Sequence, residues 1–375
     1  MHVFLGANNI VSPLGFTTAA NFSAISSGKS AVTEHHFPFS DHSFYCSKID
    51  RDQLNSHFSK RNEKSSFTFL EKMCVLSIQE VLAQSNIDLA DKNNLLMIST
   101  TKGNIDVLEH AYAELPAGRE YLSEIAKSIA DVFHCANTPL VVSNACISGL
   151  LAMIIAKRFI ENNRYQNIIV CGADLVSEFT LSGFRSFSAL SDEVCKPFDA
   201  ARKGINLGEA AASILLSAQP LSKLIVSGGA SANDANHISG PSRTGDGLFQ
   251  AIAHTLTEAN KKTVDFICAH GTATEYNDEM ESVAFSRHNL QHLPVNSLKG
   301  YYGHTLGAAG VLESIIALES LKQNTLIASA GFETQGTTHL DHVIRQTTKL
   351  ELQSCLKTAS GFGGCNAAAI FEKIL

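Results

Sequence analysis

The sequence is poor in the features that divide a chain into separate pieces. It has only eight prolines in 375 residues, no low-complexity segment and no long linker. Hydrophobic residues make up 45% and charged residues 17%, so the chain can bury a large core and is neither disordered nor fibrous. We therefore expect one compact body, built as one large domain or as two fused units.

Three further absences exclude classes of function. No apolar run reaches the ~18–20 residues of a membrane-spanning helix, and the opening residues lack the regions of a secretory signal. The formal net charge of −7 argues against nucleic acid as the main partner, because neutralising phosphates requires a basic surface. None of the nine scattered cysteines forms a C-x-x-C pair, so no metal site is expected. Free thiols favour the cytoplasm as the compartment.

Strand-like and helix-like segments alternate along the chain, which predicts an α/β protein with largely parallel or mixed sheets. Several strand-like runs are continuous in Val, Ile and Leu, as in strands buried on both faces. The strand-like runs are HVFLGA, NLLMIST, LVVSNA, NIIVCGA, AASILLS, KLIVSGGA, VDFICAH and AAAIFEKI. The helix-like segments are EKMCVLSIQEVLAQS, CISGLLAMIIAKRFIENN, GLFQAIAHTLTEAN and LGAAGVLESIIALESLKQ.

The segment SNACISG places Cys146 between a strand-like run and a helix-like run. A free cysteine more often simply packs in a core. Here Ser148 and Gly149 keep the surroundings small, and the helix that follows offers main-chain amides and a dipole that favour a thiolate. The same amides can bind a developing oxyanion. The setting indicates a nucleophile.

Two later segments carry histidines at similar junctions. In DFICAHGTATEYNDEMES an apolar run ends at His270, and Thr272 and Thr274 follow directly. Polar residues at the end of a buried strand are common where loops build a site. In VNSLKGYYGHTLGAAGVLES, Lys299 precedes His304, and Glu313 lies in an apolar helix where it requires a partner. One thiol and two neutral imidazoles suit covalent acyl chemistry.

The segments together resemble the β-ketoacyl-acyl-carrier-protein synthases, the decarboxylating condensing enzymes of the thiolase superfamily. The resemblance runs nearly from end to end. It includes ANNIVSPLG, the nucleophile turn SNACISG, KPFDAARKGINLGEAAASILL, both histidine motifs and the glycine-rich GFGGCNAAAIF. It implies a thiolase-like fold in which duplicated βαβαβ halves form a layered α-β-α-β-α body.

A loose likeness between VFLGANNIVSP near residue 3 and LIVSGGASAND near residue 224 also indicates duplication. We predict an N-terminal half, residues 1–219, with the nucleophile, and a C-terminal half, residues 220–375, with the His and Lys motifs.

The resemblance also implies roles for individual residues. Cys146 would accept the acyl group. His270 and His304 would bind the malonyl thioester carbonyl and stabilise the enolate formed on loss of CO₂. Lys299 would orient His304 and set the electrostatics around it, with Glu313 as its buried partner.

Further roles concern the walls of the site. The amides of Cys146 and Phe362 would form the oxyanion hole, and Phe362 would gate the thiol. Thr272 and Thr274 would meet the phosphopantetheine arm, and Phe184 would line the acyl pocket.

The resemblance implies that the enzyme binds no cofactor of its own and receives its substrates on the phosphopantetheine of acyl carrier protein. It implies a homodimer, or a heterodimer with a chain-length-factor subunit. Because the carrier protein is acidic, the basic run SKRNEKSS offers a docking patch at Lys60, Arg61 and Lys64. The alternative is that this run is only a solvent-exposed charged segment with no binding role.

Two positions depart from the family pattern. Cys365 stands where the family usually has Thr, and we interpret it as a packing substitute, although thiolases use a second cysteine as a base. Lys102, in ISTTKGNIDVLE, aligns with the usually hydrophobic floor of the acyl pocket. A lysine there would favour a shorter, polar-ended or conjugated aryl chain, as in the ketosynthases of bacterial aryl polyene clusters.

Two alternative functions fit the sequence less well. An inactive chain-length-factor-like subunit would have lost the cysteine, which is present here. A thiolase or non-decarboxylating acyltransferase would not combine two histidines with Lys299.

Overall fold

The fold is given by a computed structural model, which describes residues 1–62, 66–109, 112, 115–238 and 240–374. The helices are α1 (Thr18–Ser26), α2 (Arg51–Ser59), α3 (Phe69–Ala83), α4 (Leu122–Val132), α5 (Ser148–Glu161), α6 (Glu178–Ser186), α7 (Asp246–Glu258), α8 (Glu275–Arg287), α9 (Lys299–Tyr302) and α10 (Ala309–Gln323).

The strands are β1 (Phe4–Val11), β2 (Thr33–His35), β3 (Phe44–Ser47), β4 (Asn94–Ser99), β5 (Leu140–Val142), β6 (Asn167–Asp174), β7 (Leu207–Gly208), β8 (Ala210–Ser217), β9 (Leu224–Asn233), β10 (Phe266–Cys268), β11 (Val295–Asn296), β12 (Thr325–Leu326), β13 (Thr348–Lys349), β14 (Ser354–Gly361) and β15 (Cys365–Lys373).

Ten of these strands form two five-stranded arrays with the same topology. The first runs β1-β8-β6-β4-β5 and the second runs β9-β15-β14-β10-β11, and they meet where Phe4 pairs with Ile225. In each array the first two neighbouring pairs are antiparallel and the last two are parallel. This repeated order confirms the predicted α/β class with duplicated halves and mixed sheets.

The two arrays and their helices form five layers. Helix α3 packs on β1, β6 and β8, and α7 packs on β9 and β15, so these helices cover the outer faces. Helices α5 and α10 contact each other and strands of both arrays, which places them in the central layer. Because both halves share this layer, the division at residue 219 stays a prediction.

Close contact between the two central helices depends on glycine. A Cβ on Gly149 would lie 2.8 Å from the carbonyl oxygen of Gly307, and one on Gly310 would lie 2.2 Å from the amide nitrogen of Leu150. Such distances exclude any side chain, so the start of α5 rests directly on the start of α10. The loops that precede the two helices carry Cys146 and His304, and this contact therefore brings them together.

The eight predicted strand runs and four predicted helices all contain the expected element, but the boundaries differ. The run LVVSNA is a strand only to Val142, since the next residues form a turn. Strand β14 was not predicted, because Lys357 and the small polar residues beside it interrupt the apolar pattern. Among the residues described, no helix combines the length and the apolarity needed to cross a membrane.

Candidate active site

A tight turn at the end of β5 presents the cysteine. Ala145 has φ +43°, a left-handed conformation that is uncommon for any residue other than glycine. The Ser148 hydroxyl donates to the Ala145 carbonyl at 2.6 Å and accepts from the Asn144 amide at 2.8 Å, which closes the turn. Cys146 therefore lies two residues before the first residue of α5, as the sequence predicts.

Two acidic side chains of α8 hold the loop that carries His270. The Glu281 carboxylate accepts from the amides of His270 at 2.9 Å and Gly271 at 2.6 Å. Asp278 accepts from the Thr272 amide at 2.8 Å, and burial raises the pKa of Asp278 to about 6. These amides are buried and lie beyond the end of β10, outside its ladder of backbone hydrogen bonds. The two carboxylates satisfy them and so fix His270 just after the strand.

His304 is held by its own backbone. Its amide donates to the Asn206 carbonyl at 2.7 Å, and its carbonyl accepts from the Gly208 amide at 3.0 Å. Gly303 before it has φ +66°, and a Cβ there would lie 2.5 Å from the Leu207 carbonyl. Only glycine permits this approach, which directs the His304 ring toward Cys146.

The hydrogen bonds of the two rings define their tautomers. The Leu306 amide donates to His304 Nδ1 at 3.3 Å. The Lys299 ammonium lies 3.3 Å from His270 Nδ1, and an ammonium can only donate. Since both Nδ1 atoms are acceptors, the proton of each neutral ring is on Nε2. His304 is 1% exposed, and its Nε2 has no partner among the described residues. This donor is therefore left for a ligand.

Burial keeps all three groups uncharged. Burial, aided by Lys299 and other nearby positive charge, holds the pKa of His270 and of His304 well below the usual value. Burial likewise raises the pKa of Cys146 to about 12, although Lys299 and Lys102 act in the opposite direction. This direction is opposite to the one expected from the helix start, because desolvation is the largest cause acting on the pKa of Cys146.

The three side chains meet at one cavity of about 90 Å³. Cys146 Sγ and one ring nitrogen of each histidine lie within 4.8 Å of one another. Such a group resembles a set of metal ligands, but each Nδ1 accepts a hydrogen bond from a neighbouring donor, so Nε2–H is the group that each neutral ring offers to a ligand. The arrangement is instead one thiol facing two N–H donors, which suits nucleophilic attack combined with stabilisation of a negative oxygen.

A buried ion cluster lies behind the histidines. Lys299 Nζ donates to Glu313 Oε1 at 2.7 Å and to the His270 carbonyl at 2.6 Å. Lys299 contacts the ring of His270 and not that of His304, but its charge acts on His304 as expected, since it helps to lower the pKa of that ring. The pairing with Glu313 is as predicted. A second lysine, Lys357, lies 2.6 Å from Glu313 Oε2 and was missed in the sequence.

Aromatic rings and threonines line the mouth of the cavity. The ring of Phe362 stacks on Phe184 at 5.5 Å between centroids and meets Phe187 edge-on at 5.4 Å. Phe362 is 36% exposed, as suits a gate between the thiol and solvent. Thr272 and Thr274 also line the cavity, and their hydroxyls lie 2.8 Å apart.

Lys102 does not line this cavity. It is half-buried, and its amide donates to the Asp174 carboxylate at 3.2 Å. The same carboxylate also accepts from the Gly307 amide. Its ammonium nevertheless acts on Cys146, whose pKa it lowers. Cys365 is buried, with Sγ 3.8 Å from the Asn144 carbonyl, and its interpretation as a packing residue stays a prediction.

The basic run near residue 60 follows α2 on the surface. Lys60 and Arg61 are exposed, and Arg61 pairs with Glu80 at 3.1 Å. Lys64 lies outside the described residues. The docking role of this run stays a prediction.

Comparisons with known proteins match most of the chain. The family described as "Beta-ketoacyl synthase, N-terminal domain" matches residues 9–220, and "Beta-ketoacyl synthase, C-terminal domain" matches residues 224–333. The tetracenomycin polyketide synthase ketoacyl synthase alpha subunit of Streptomyces glaucescens is 28% identical, covering 96% of this chain and 94% of that protein. The 3-oxoacyl-acyl-carrier-protein synthase 2 of Vibrio harveyi is 25% identical and covers 97% of both.

Among solved structures, the ketosynthase ApeO in complex with its chain length factor ApeC, from Xenorhabdus doucetiae, is similar in fold. It matches with a TM-score of 0.86 and 23% identity, covering 100% of this chain and 98% of that chain. The predicted thiolase-like fold is thereby confirmed.

Proposed function

The chain belongs to the β-ketoacyl synthase family, acyltransferases that perform the condensation step of fatty acid or polyketide synthesis, and we propose that Cys146, His270 and His304 carry out this step. One observation carries the assignment. A buried thiol and two imidazoles that present Nε2–H share one cavity, within 4.8 Å of one another.

The reaction begins with transfer of the acyl group. Cys146 Sγ attacks the acyl thioester, the bond from the carbonyl carbon to the pantetheine sulfur breaks, and the thiol proton leaves with the pantetheine thiol. Because burial keeps Cys146 protonated, this proton must be lost as the bond forms. The amides of Cys146 and Phe362 are the proposed donors to the oxyanion.

Condensation follows at the same cavity. Malonyl thioester loses CO₂, and the electron pair of the broken bond becomes an enolate whose oxygen accepts from Nε2–H of His270 and His304. The enolate carbon attacks the acyl group on Cys146, and collapse of the adduct expels the Cys146 thiolate, which takes up one proton. The products are β-ketoacyl-acyl carrier protein, CO₂ and the free enzyme.

The overall reaction provides the direct test. The protein is incubated with acyl carrier protein charged with an acyl group and with malonyl carrier protein labelled in its free carboxylate. Release of labelled CO₂ together with a β-ketoacyl product detected by mass spectrometry supports the function. Acyl exchange between carriers without loss of CO₂ would assign the protein to the non-decarboxylating acyltransferases.

Acyl carrier protein is the proposed partner, and Lys60 and Arg61 are part of its proposed docking surface. Carrier protein is acidic, and exposed cations increase the rate of association with an acidic partner. We expect Lys60→Glu/Arg61→Glu to raise KM for the carrier-bound substrate about tenfold and to leave turnover of a small pantetheine thioester unchanged. Steady-state kinetics with both substrates measures this, and Lys127→Glu, at an exposed lysine of α4, is the control. An unchanged KM would remove the docking role.

A second ketosynthase-type subunit is also proposed. Strand β5 is an edge of the sheet among the described residues, and Leu140 on it is 38% exposed. Pairing with an edge strand of a second subunit would satisfy the unpaired backbone groups of β5 and bury Leu140. The partner is proposed to be a second copy or a chain-length-factor subunit.

All nine cysteines are free thiols, which supports the cytoplasm as the proposed compartment.

The acyl group is proposed to be a conjugated aryl or polar-ended chain. Two features support it: three phenylalanine rings packed together at the cavity mouth, and the charge of Lys102 acting close to the thiol. Flat conjugated chains stack well on such rings, and a nearby half-buried cation disfavours an alkane.

We expect aryl-enoyl carrier substrates to load at least about tenfold faster than medium-length saturated ones, as one methylene-scale mismatch already changes rates by this order. Lys102→Ala is expected to reduce this preference, and Lys127→Ala is the matched lysine control. Loading is followed by intact-protein mass spectrometry. A strong preference for saturated chains in the unaltered protein would exclude the aryl polyene subgroup and leave the condensing function intact.

A further inference from the structure

Lys357 is a fully buried lysine in the middle of β14. Its Nζ lies 2.6 Å from Glu313 Oε2 and donates to the Thr358 carbonyl at 2.7 Å. It also donates to the carbonyls of Cys268 and Ala269, both at 3.3 Å. Cys268 is the last residue of β10, and Ala269 and His270 follow it directly, so Lys357 is fixed against the backbone that carries the first histidine.

Glu313 is shared by two lysines. Its Oε1 contacts Lys299 and its Oε2 contacts Lys357, and neither lysine has any exposed side-chain surface. One carboxylate between two ammonium groups gives the cluster of Lys299, Glu313 and Lys357 a net charge of +1, while the neighbouring Glu281 carboxylate is bonded to the amides of His270 and Gly271. Burial opposes the charge on Lys357, but Glu313 outweighs it and raises the pKa of that lysine. The positive charge is therefore retained at neutral pH.

The excess charge faces both imidazoles. Burial is the first cause of the lowered pKa of each histidine, and Lys299 and Lys357 both add to it. A single lysine neutralised by Glu313 would contribute far less, because the two opposite charges would largely cancel at the rings. Among the described residues, the charged or titratable groups that face the histidines or Lys357 are Cys146, Cys268, Glu281, Lys299, Glu313 and Cys355.

We propose that Lys357 is a second positioning cation of the condensing site, which gives the cluster behind His270 and His304 its net positive charge and thereby keeps both rings neutral, as Nε2–H donors, during decarboxylation. This inference rests on the proposed function of the two histidines. Lys357 touches neither ring, so it acts through the field of the cluster and through the backbone before His270.

The test removes one charge from the cluster and keeps the length of the side chain that carries it. Lys357→Met removes the charge and keeps the length of the side chain, so the cluster falls from +1 to 0. Each histidine is then protonated more easily at Nδ1, and a proton there would replace the acceptor that the Lys299 ammonium or the Leu306 amide needs to hold the ring in place. We expect the acid limb of malonyl-pantetheine decarboxylation to move to higher pH by about one unit. A small thioester is used so that carrier docking does not enter the profile.

A double variant checks the charge count. In Lys357→Met/Glu313→Gln, Lys299 alone remains and the cluster returns to +1, so the acid limb is expected to move back toward its original position. Lys157→Met is the matched control, since Lys157 is 2% exposed and bridges Glu161 and Glu258 on α5 and α7. It is expected to lower thermal stability without moving the acid limb. Should Lys357→Met fail to fold, Lys357→Gln makes the same change of charge and keeps a donor for the carbonyls.

The outcomes separate the two ideas. If the unaltered protein does not decarboxylate malonyl thioester, the proposed function fails. If it does, and a folded neutral variant has the same acid limb as the unaltered protein, Lys357 is only structural and this inference is overturned.

Discussion

Cys146→Ala is expected to abolish acyl loading and to reduce condensation by at least about 10³-fold, the scale on which loss of a covalent nucleophile acts. Cys146 is 8% exposed and lines the cavity, and in the described residues no second thiol lies within 4.8 Å of both histidines of the site. No neighbouring cysteine can therefore replace it in the same geometry. Intact-protein mass spectrometry after incubation with acyl carrier protein measures loading, and peptide mapping locates the acyl group.

Cys365→Thr is the matched control for this experiment. Cys365 is also buried, on the strand that follows the glycine-rich loop, and its charge would act on Cys146. Threonine at this position matches the family pattern and is close to cysteine in size, so we expect loading within about twofold of the unaltered protein. An acyl group that maps to Cys365, or that persists in Cys146→Ala, would contradict the role given to Cys146.

The sequence identifies the site residues better than it identifies their contacts. Cys146, His270, Lys299 and His304 could all be predicted because each follows a strand-like run or precedes a helix, and such junctions gather at one edge of an α/β layer. The pairing of Lys299 with Glu313 could be predicted as well, because a carboxylate inside an apolar helix requires a cation.

What could not be predicted depends on distance and burial. Lys299 contacts His270, 29 residues away in sequence, rather than His304, five residues away, because α9 begins at Lys299 and turns the chain before Gly303. Burial also decides the charge of Cys146, and no local motif reports how much water surrounds a thiol. The helix start alone therefore predicted a thiolate where the structure has a thiol.

Duplication explains the position of Lys102. The loop after β4 corresponds to the loop after β10, since these strands hold equivalent places in the two arrays. Lys102 and His270 are thus at related positions, one in each half. The loose likeness of the halves could not reveal this, because the equivalence is one of strand order and not of residue type.

His304→Ala and His270→Ala are each expected to reduce decarboxylation of malonyl thioester by about 10²–10³-fold, the effect of removing one donor to a developing oxyanion. Acyl loading of Cys146 is expected to survive in both, because loading places no charge on the malonyl carbonyl. His304 Nε2 has no partner among the described residues, so removing this ring breaks no structural bond at that atom. The rate of CO₂ release and the loaded mass are measured on the same samples.

The two histidines are distinguished from other buried histidines by a control and by rescue. His288, which follows the end of α8, is also partly buried with a lowered pKa, but its Nε2 bonds the Phe249 carbonyl of α7. His288→Ala is therefore expected to retain decarboxylation. His304→Gln keeps an N–H donor near the position of Nε2 and is expected to recover part of the rate lost in His304→Ala. Equal loss in the alanine and glutamine variants, or a parallel loss of loading in both histidine variants, would contradict the division of labour in which the thiol carries the chain and the imidazoles hold the enolate.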